Sequence, residues 1–326
     1  MAWGRLLGRR LVGLGVALVL VTLLSALLLS MVPGDPVNTL IPIADDDPRV
    51  VERKAELREE LNLDKPLPVR YWDWLTGFAT GDMGNYYRVS GQEPVSDRVA
   101  SALPVSLQLM LYSQVLALAV AVPLGVLTAY RAGTRFDRGG NTVAFGLLAL
   151  PGFVLALLLV YYVGVWLGWL PVSGYVAFGG DPVEHFRRML LPTIAVAASQ
   201  IAIYMRLLRS DMVATLQEDF VQMARSKGIS DQRVLWRHAL RPSSLTLLTV
   251  AGLNVGTLIS AAVVIEVIFN LPGLGWEIVQ AIDARQYVAI QAFVAILAII
   301  YVVANFAVDL LYSLLDPRIR HARADS

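Results

Sequence analysis

The chain has 326 residues, of which 56% are hydrophobic and only 16% charged, and its formal net charge at neutral pH is +1. Soluble domains carry about 25% charged residues, so the composition excludes an ordinary soluble protein, and the near-zero balance excludes a generally nucleic-acid-binding surface. Cysteine is absent, which excludes disulfides, thiolate metal sites and a cysteine nucleophile.

The apolar residues fall into six runs, near residues 10–32, 103–129, 142–168, 189–209, 243–267 and 288–312. A run of about 18 or more apolar residues reads as a membrane span, and at about 1.5 Å per residue each covers about 30 Å of hydrocarbon. Backbone groups in lipid must bond internally, so an all-α membrane bundle of six transmembrane helices is expected. Arg5, Arg9 and Arg10 precede the first run, Leu11 to Val32. That run exceeds the core of a signal peptide, about 7–15 residues, and no small-x-small cleavage site follows, so it is expected to be an uncleaved span. Interior prolines (Pro104, Pro123, Pro151, Pro192) predict kinked helices.

Residues 33–102 are too polar to lie in hydrocarbon. Ala44 to Leu63 is charged and helix-prone, with apolar positions Val50, Val51, Leu57 and Leu61. Tyr71, Trp72, Trp74 and Phe78 form an aromatic cluster. It suits an interfacial aromatic belt or a small outer cap that contacts a partner.

Basic residues in short loops set the orientation. With the N-terminus inside, the inner set is Arg5, Arg9, Arg10, Arg131, Arg135, Arg138, Arg206, Arg209, Arg225, Lys227, Arg233, Arg237, Arg241, Arg318, Arg320 and Arg323. The short outer loops hold Arg187, Arg188 and Arg285. Both termini and the loop at 210–242 are therefore expected in the cytoplasm. The plan is a cytoplasmic N-terminus and first span (1–32), an extracytoplasmic segment (33–102), a five-helix core (103–315) and a cytoplasmic tail (316–326).

The loop carries the sharpest local pattern. Thr215 and Glu218 fit a capping box. Leu216, Phe220, Met223 and Ala224 fall on one helical face, and Gly228 fits the helix-ending position. Ser230 fits the N-cap of a second helix with Asp231 in its first turn. Val234, Leu235 and Leu240 give that helix an apolar side, and Pro242 fits the start of the next span. Two readings stand: an amphipathic linker on the anionic inner leaflet, or a helix docked in a groove of a cytosolic protein. In the second, Phe220 and Met223 are anchors and Arg225 and Lys227 a charged rim.

No phosphate-cradling Gly-x-x-x-x-Gly-Lys-Ser/Thr occurs, nor a hydrolase signature. Polar residues at membrane depth are the amides Gln108, Gln114, Gln200, Asn254, Gln291 and Asn305. They suit helix–helix hydrogen bonding or a wet translocation path, for which Gln108, Gln200, Asn254 and Asn305 are the candidates. Scarce intramembrane charge argues against an ion-coupled secondary transporter. Glu266, Phe269, Pro272, Gly273 and Gly275 form a Pro/Gly turn. It reads as a plain interfacial turn, or as an outer gate or docking surface.

Phe220-Val-Gln-Met-Ala224-Arg-Ser-Lys-Gly228 resembles the coupling loop of bacterial ABC importer permeases, with Gln222 and Met223 departing from the general Glu-Ala-Ala pattern. The surrounding Val-x-x-Ala-Arg-x-Lys-Gly-Ile-Ser and Val234-Leu-Trp-Arg-His-Ala-Leu-Arg241 resemble the dipeptide/oligopeptide/nickel branch. So do Pro33-Gly-Asp-Pro36, Leu103-Pro-Val-Ser-Leu107, Val264 to Gly275, Asn305 to Asp309, and Leu311 to Arg318. The resemblance implies the type I (MetI-like) permease fold and the first of two permease subunits. It also implies a homologous second permease, two cytosolic ATPases that bind ATP and Mg, and an extracytoplasmic substrate-binding lipoprotein. The implied cargo is di- or oligopeptides, with nickel complexes or glutathione-type molecules as the alternative. The residues implied for ATPase coupling are Leu216, Phe220, Val221, Met223, Ala224, Arg225, Lys227, Gly228, Arg233 and Leu235. No catalytic residue, cofactor, metal or nucleic acid is expected in this chain.

Overall fold

A computed structural model describes residues 2–32, 36–41, 48–88 and 91–315. The first residues of Pro33-Gly-Asp-Pro36, and Asp316 and Arg318 with the rest of the 316–326 tail, lie outside the described residues. The chain divides into two compact units, Met1–Val105 with Pro272–Val303 and Ser106–Leu271 with Ala304–Ser326.

The first unit begins with α1 (Ala2–Ser30), followed by α2 (Pro36–Leu40), α3 (Pro48–Glu60) and α4 (Leu67–Thr80). Leu57 of α3 is buried with Val37 and Leu40, whereas Val51 is exposed. Helix α4 stops at Gly81, whose φ of 96° a side chain resists. On α4, Tyr71, Trp74 and Phe78 stack with ring centroids 6.2 and 5.2 Å apart. Trp72 of the expected cluster is 63% exposed instead, because it lies on another face of the helix. The Tyr71 hydroxyl donates to the Val19 carbonyl at 3.1 Å and sits 2.9 Å from Thr22 Oγ1, tying α4 to α1.

An antiparallel hairpin follows, β1 (Asn85–Arg88) with β2 (Gly91–Pro94), in register Asn85↔Pro94. Four-residue strands without alternation gave no signal in the sequence. Two further helices complete the unit's framework, α13 (Leu274–Asp283) and α14 (Tyr287–Leu315). Gln286, just before α14, extends the ladder. Its amide donates to the Tyr87 carbonyl at 2.6 Å and accepts from the Tyr87 N–H at 3.0 Å. Beside it, buried Arg98 bonds Glu277 and Glu93 and lies 4.0 Å from the Tyr86 ring centre.

The second unit holds most of α5 (Val95–Tyr130), α6 (Arg135–Ala149) and α7 (Gly152–Leu159), which runs into a π-helical stretch, Val160–Trp166. Helix α8 (Pro182–Thr215) crosses its centre. A short helix α9 (Asp219–Ser226) and α10 (Asp231–Arg233) lead through a second π-helical turn, Val234–Ala239, into α11 (Leu240–Leu253) and α12 (Val255–Phe269). The core joins Ala117, Ala121 and Val126 of α5 to Ala197, Tyr204 and Leu208 of α8 and Leu247 of α11. Small residues let helix backbones approach in lipid. A Cβ at Gly125 would lie 3.1 Å from both Leu208 Cβ and the Met205 carbonyl.

Among the described residues, three helices are long and apolar enough to cross a bilayer (Val95–Tyr130, Pro182–Thr215 and Tyr287–Val308), and counting each of two bent pairs as one span brings the total to five. Helix α1 adds the shorter apolar stretch Gly15–Ser30. The expected spans at 142–168 and 243–267 are not straight. The first breaks by 100° between Ala149 and Gly152, since Leu150, ahead of Pro151, leaves the helical region with ψ 122°. The second bends by 48° at Asn254. Pro104, Pro123 and Pro192 sit inside helices that continue past them. Pro242 does not start a span; it lies within α11, directly after the wider π turn. Having no N–H for the carbonyl four residues back, it is best placed where the ladder is already irregular.

A buried ion pair fastens α6 to α8. Asp137 is 3% exposed and accepts from Arg209 Nε at 2.5 Å and Nη2 at 2.7 Å, from the Gly133 N–H at 2.8 Å and from Asn141 Nδ2 at 2.8 Å. Arg209→Ala strands that carboxylate and is expected to destabilise the fold by about 3–5 kcal/mol, whereas Asp137→Leu with Arg209→Leu costs less. Thermal unfolding of the purified protein in detergent checks the order of the two variants. Gly125→Leu is expected to lower the same midpoint by overpacking of about 1–3 kcal/mol.

Candidate functional site

The loop at 216–240 is built from two short helices with a sharp corner. Helix α8 runs through Thr215, so Thr215 does not cap the next helix. Its hydroxyl instead meets Ser243 Oγ at 2.9 Å, and Glu218 takes the N-cap position, extended at ψ 148°. Helix α9 ends as its sequence predicts. Gly228 adopts φ 74°, its N–H bonds the Arg225 carbonyl at 2.9 Å, and the Ile229 N–H bonds the Ala224 carbonyl at 3.2 Å. These two bonds are a Schellman closure, which needs a residue tolerant of left-handed backbone. Ser230 occupies the next N-cap, but its side chain makes no capping bond.

The faces of α9 differ from the expected pattern. Val221 and Ala224 are buried with Val234, and Leu216 and Ile229 pack against them. Phe220 and Met223 are 45% and 57% exposed. The expected single face of Leu216, Phe220, Met223 and Ala224 is therefore split, because Val221, one residue on from Phe220, takes the inward position. Leu235 is buried in the core beside Ala239 and Leu247. Arg225, Lys227 and Arg233 are exposed.

Two residues that sequence reasoning left without a role, Tyr130 and Trp236, belong with this loop. Tyr130, at the end of α5, donates to Asp231 Oδ2 at 3.1 Å, and Arg225 Nε lies 3.6 Å from Asp231 Oδ1. Trp236 is 42% exposed. The Tyr130–Asp231 bond spans about a hundred residues, so no local pattern announces it. A groove of about 520 Å³ lies alongside, lined by Tyr130, Val213, Leu216, Gln217, Arg225 and Asp231.

The amide candidates are mostly tied to neighbours. Asn254 Nδ2 donates to Gln200 Oε1 at 3.0 Å at the bend between α11 and α12, and Gln200 is 1% exposed. Gln108 accepts from the Tyr175 hydroxyl at 3.0 Å, and Gln114 from Tyr204 at 3.2 Å. Asn305 is partly buried in α14. The structure joins Gln200 to Asn254.

At the turn after α12, Glu266 is 1% exposed and accepts from Ser106 Oγ at 2.7 Å, and Phe269 is equally buried. The sharp corner is made by Asn270 in left-handed backbone (φ 51°), and not by a glycine. Gly273 is extended as the N-cap of α13, and Gly275 lies within that helix. Pro272 precedes them. Among the described residues no group of three or more His, Asp or Glu side chains is placed to hold a metal ion.

The model of the family "Binding-protein-dependent transport system inner membrane component" matches residues 121–321, and that of its N-terminal region matches residues 4–110. The chain is 39% identical over 306 residues to a putative peptide transport system permease protein of Brucella abortus, covering 93% of this chain and 95% of that one. It is 35% identical over 323 residues to the di/tripeptide transport system permease protein DppB of Pseudomonas aeruginosa, with the same coverages. Among solved structures, the inward-facing MetNI methionine ABC transporter matches with a TM-score of 0.54 at 15% identity, over 67% of this chain and 96% of that one; this likeness concerns the fold, the MetI-like permease fold. The chain belongs to the binding-protein-dependent transport system inner membrane components, the permease subunits of ABC importers.

Proposed function

We propose that this permease translocates di- or oligopeptides, and that α9 is the element through which separate ATPase subunits drive it. The observation that carries the coupling role is the division of α9 into two faces. Val221 and Ala224 anchor it to the chain from beneath, while Phe220 and Met223 stay exposed with Arg225 and Lys227 at the rim. Large exposed apolar side chains on a short, fixed helix suit a groove in a partner. Peptide cargo rests on the relatives named above.

In this reading both termini and the loop face the cytoplasm, and residues 33–102 lie on the outer side. The complex contains a homologous second permease, two ATPases that bind ATP and Mg, and an outer substrate-binding protein. Closure of the ATPases displaces α9, and the permease shifts between inward-open and outward-open populations. A docking helix transmits such a displacement only if its base is rigid. The Schellman closure at Gly228, the buried Val221 cluster and the Tyr130–Asp231 bond supply that rigidity. Gln108, Gln200, Asn254 and Asn305 remain the candidates for the path. Glu266, Phe269, Pro272, Gly273 and Gly275 remain those for the outer gate or docking surface.

Phe220→Asp places a charge in an apolar contact worth at least about 2 kcal/mol, so ATPase affinity should fall by about thirtyfold and peptide uptake with it. Gly228→Pro removes the Schellman donor and should abolish uptake while membrane insertion persists. Both are read as labelled-peptide uptake and substrate-stimulated ATP hydrolysis in proteoliposomes of the whole complex. Wild-type uptake by either variant at matched expression would overturn the coupling assignment. Tyr130→Phe, which deletes one hydrogen bond of about 1 kcal/mol, should lower uptake per ATP hydrolysed more than it lowers ATPase binding.

A further inference from the structure

The first unit holds a half-open cavity of about 420 Å³ that transport coupling leaves unused. Its lining includes Leu29 at the end of α1, Arg70 and Trp74 of α4, Asn85 of β1, and Tyr287 and Gln291 of α14. Helix α1 carries its apolar stretch up to Ser30, and a membrane span begins at Tyr287. The cavity therefore lies where two membrane helices reach the interface.

The hydrogen-bonding capacity around it is unbalanced. Its three carboxylates are already engaged. Asp73 accepts from Lys65 at 3.0 Å, Asp82 from the Gly84 N–H at 2.9 Å, and Glu60 lies 3.5 Å from Arg53. The donors are not. Arg70 is half-buried, and no side-chain hydrogen bond or ion pair engages its guanidinium among the described residues. Burial depresses its basicity, with only the nearby Tyr287 acting the other way. Trp74 Nε1 and the Tyr287 hydroxyl, buried behind the wall, have no hydrogen-bond partner among the described residues. An indole N–H can only donate, and a guanidinium presents five donors in a planar fork that matches phosphate or carboxylate. What the Arg70 guanidinium lacks is a hydrogen-bonding partner of its own, and an oxyanion fits its fork.

We propose that this cavity binds a phosphate oxyanion through the Arg70 guanidinium, and that its source is the headgroup of an anionic phospholipid. The interfacial position and the apolar wall at Leu29 suit a headgroup whose chains lie against α1.

The test uses the whole importer complex, purified in detergent and in nanodiscs of phosphatidylglycerol or phosphatidylcholine. Bound lipid is counted by native mass spectrometry and stability by thermal unfolding. Retention of phosphatidylglycerol should fall about tenfold in Arg70→Gln, the loss expected for a charge-assisted hydrogen bond, with Arg70→Lys in between. Inorganic phosphate alone, added to delipidated complex, separates the sources. If it raises the unfolding midpoint only when Arg70 is present while phosphatidylglycerol does not, the oxyanion site stands and its ligand is free phosphate. Equal retention and equal midpoint shifts in wild type and Arg70→Gln with both probes would overturn the site. Should Arg70→Gln fail to assemble, Arg70→Lys carries the comparison. It keeps the charge but loses the planar fork, so a loss of about threefold in lipid retention is expected, and unchanged retention would overturn the geometry.

Discussion

In hydrocarbon each backbone N–H and C=O must find its partner within the protein. This chain interrupts two of its membrane-length helices all the same, and much of its polar interior is explained by how those interruptions are satisfied. At Pro151 the break costs little, because proline has no N–H to leave stranded and the preceding residue already prefers extended backbone. At Asn254 no proline is present, and Gln200 of α8 bonds the asparagine side chain at the bend. The amides that look like pore linings in a sequence thus serve, in good part, as braces between helices.

The loop at 216–240 shows the same economy in water. Its two helices are too short to be stable alone. They hold because the Schellman closure at Gly228 ends the first and because Val221, Ala224 and Val234 share a small apolar centre. Having a private core lets the loop keep Phe220 and Met223 exposed without unravelling. The buried anchor and the exposed apolar side chains lie on different faces of eight residues.

Much of this was legible in the residues. Blocked hydrophobicity announced the helical membrane class, because the bilayer filters composition harder than any soluble fold does. Gly228 announced its own left-handed backbone, and the family pattern was carried by ordered motifs along the chain. Other features were hidden for physical reasons. The direction a side chain faces on α9 depends on what lies beneath it, so a short periodic pattern could not separate Phe220 from Val221. The capping role expected of Thr215 failed because α8 extends through it, held by Ser243 from a later helix. The hairpin at 85–94 and the Tyr130–Asp231 bond rest on partners far along the chain. At the turn after α12, the left-handed residue is Asn270, since asparagine tolerates that backbone almost as glycine does.

The π-helical turn at Val234–Ala239 fixes an angular relation that spacing alone would not give. A π turn holds one residue more than an α turn, and one residue is about 100° of rotation about the helix axis. The orientation of the loop about the axis of α11 is thus set by a single inserted residue. Losing that residue would swing the loop about this axis by more than a quarter turn, with no substitution in either flanking helix.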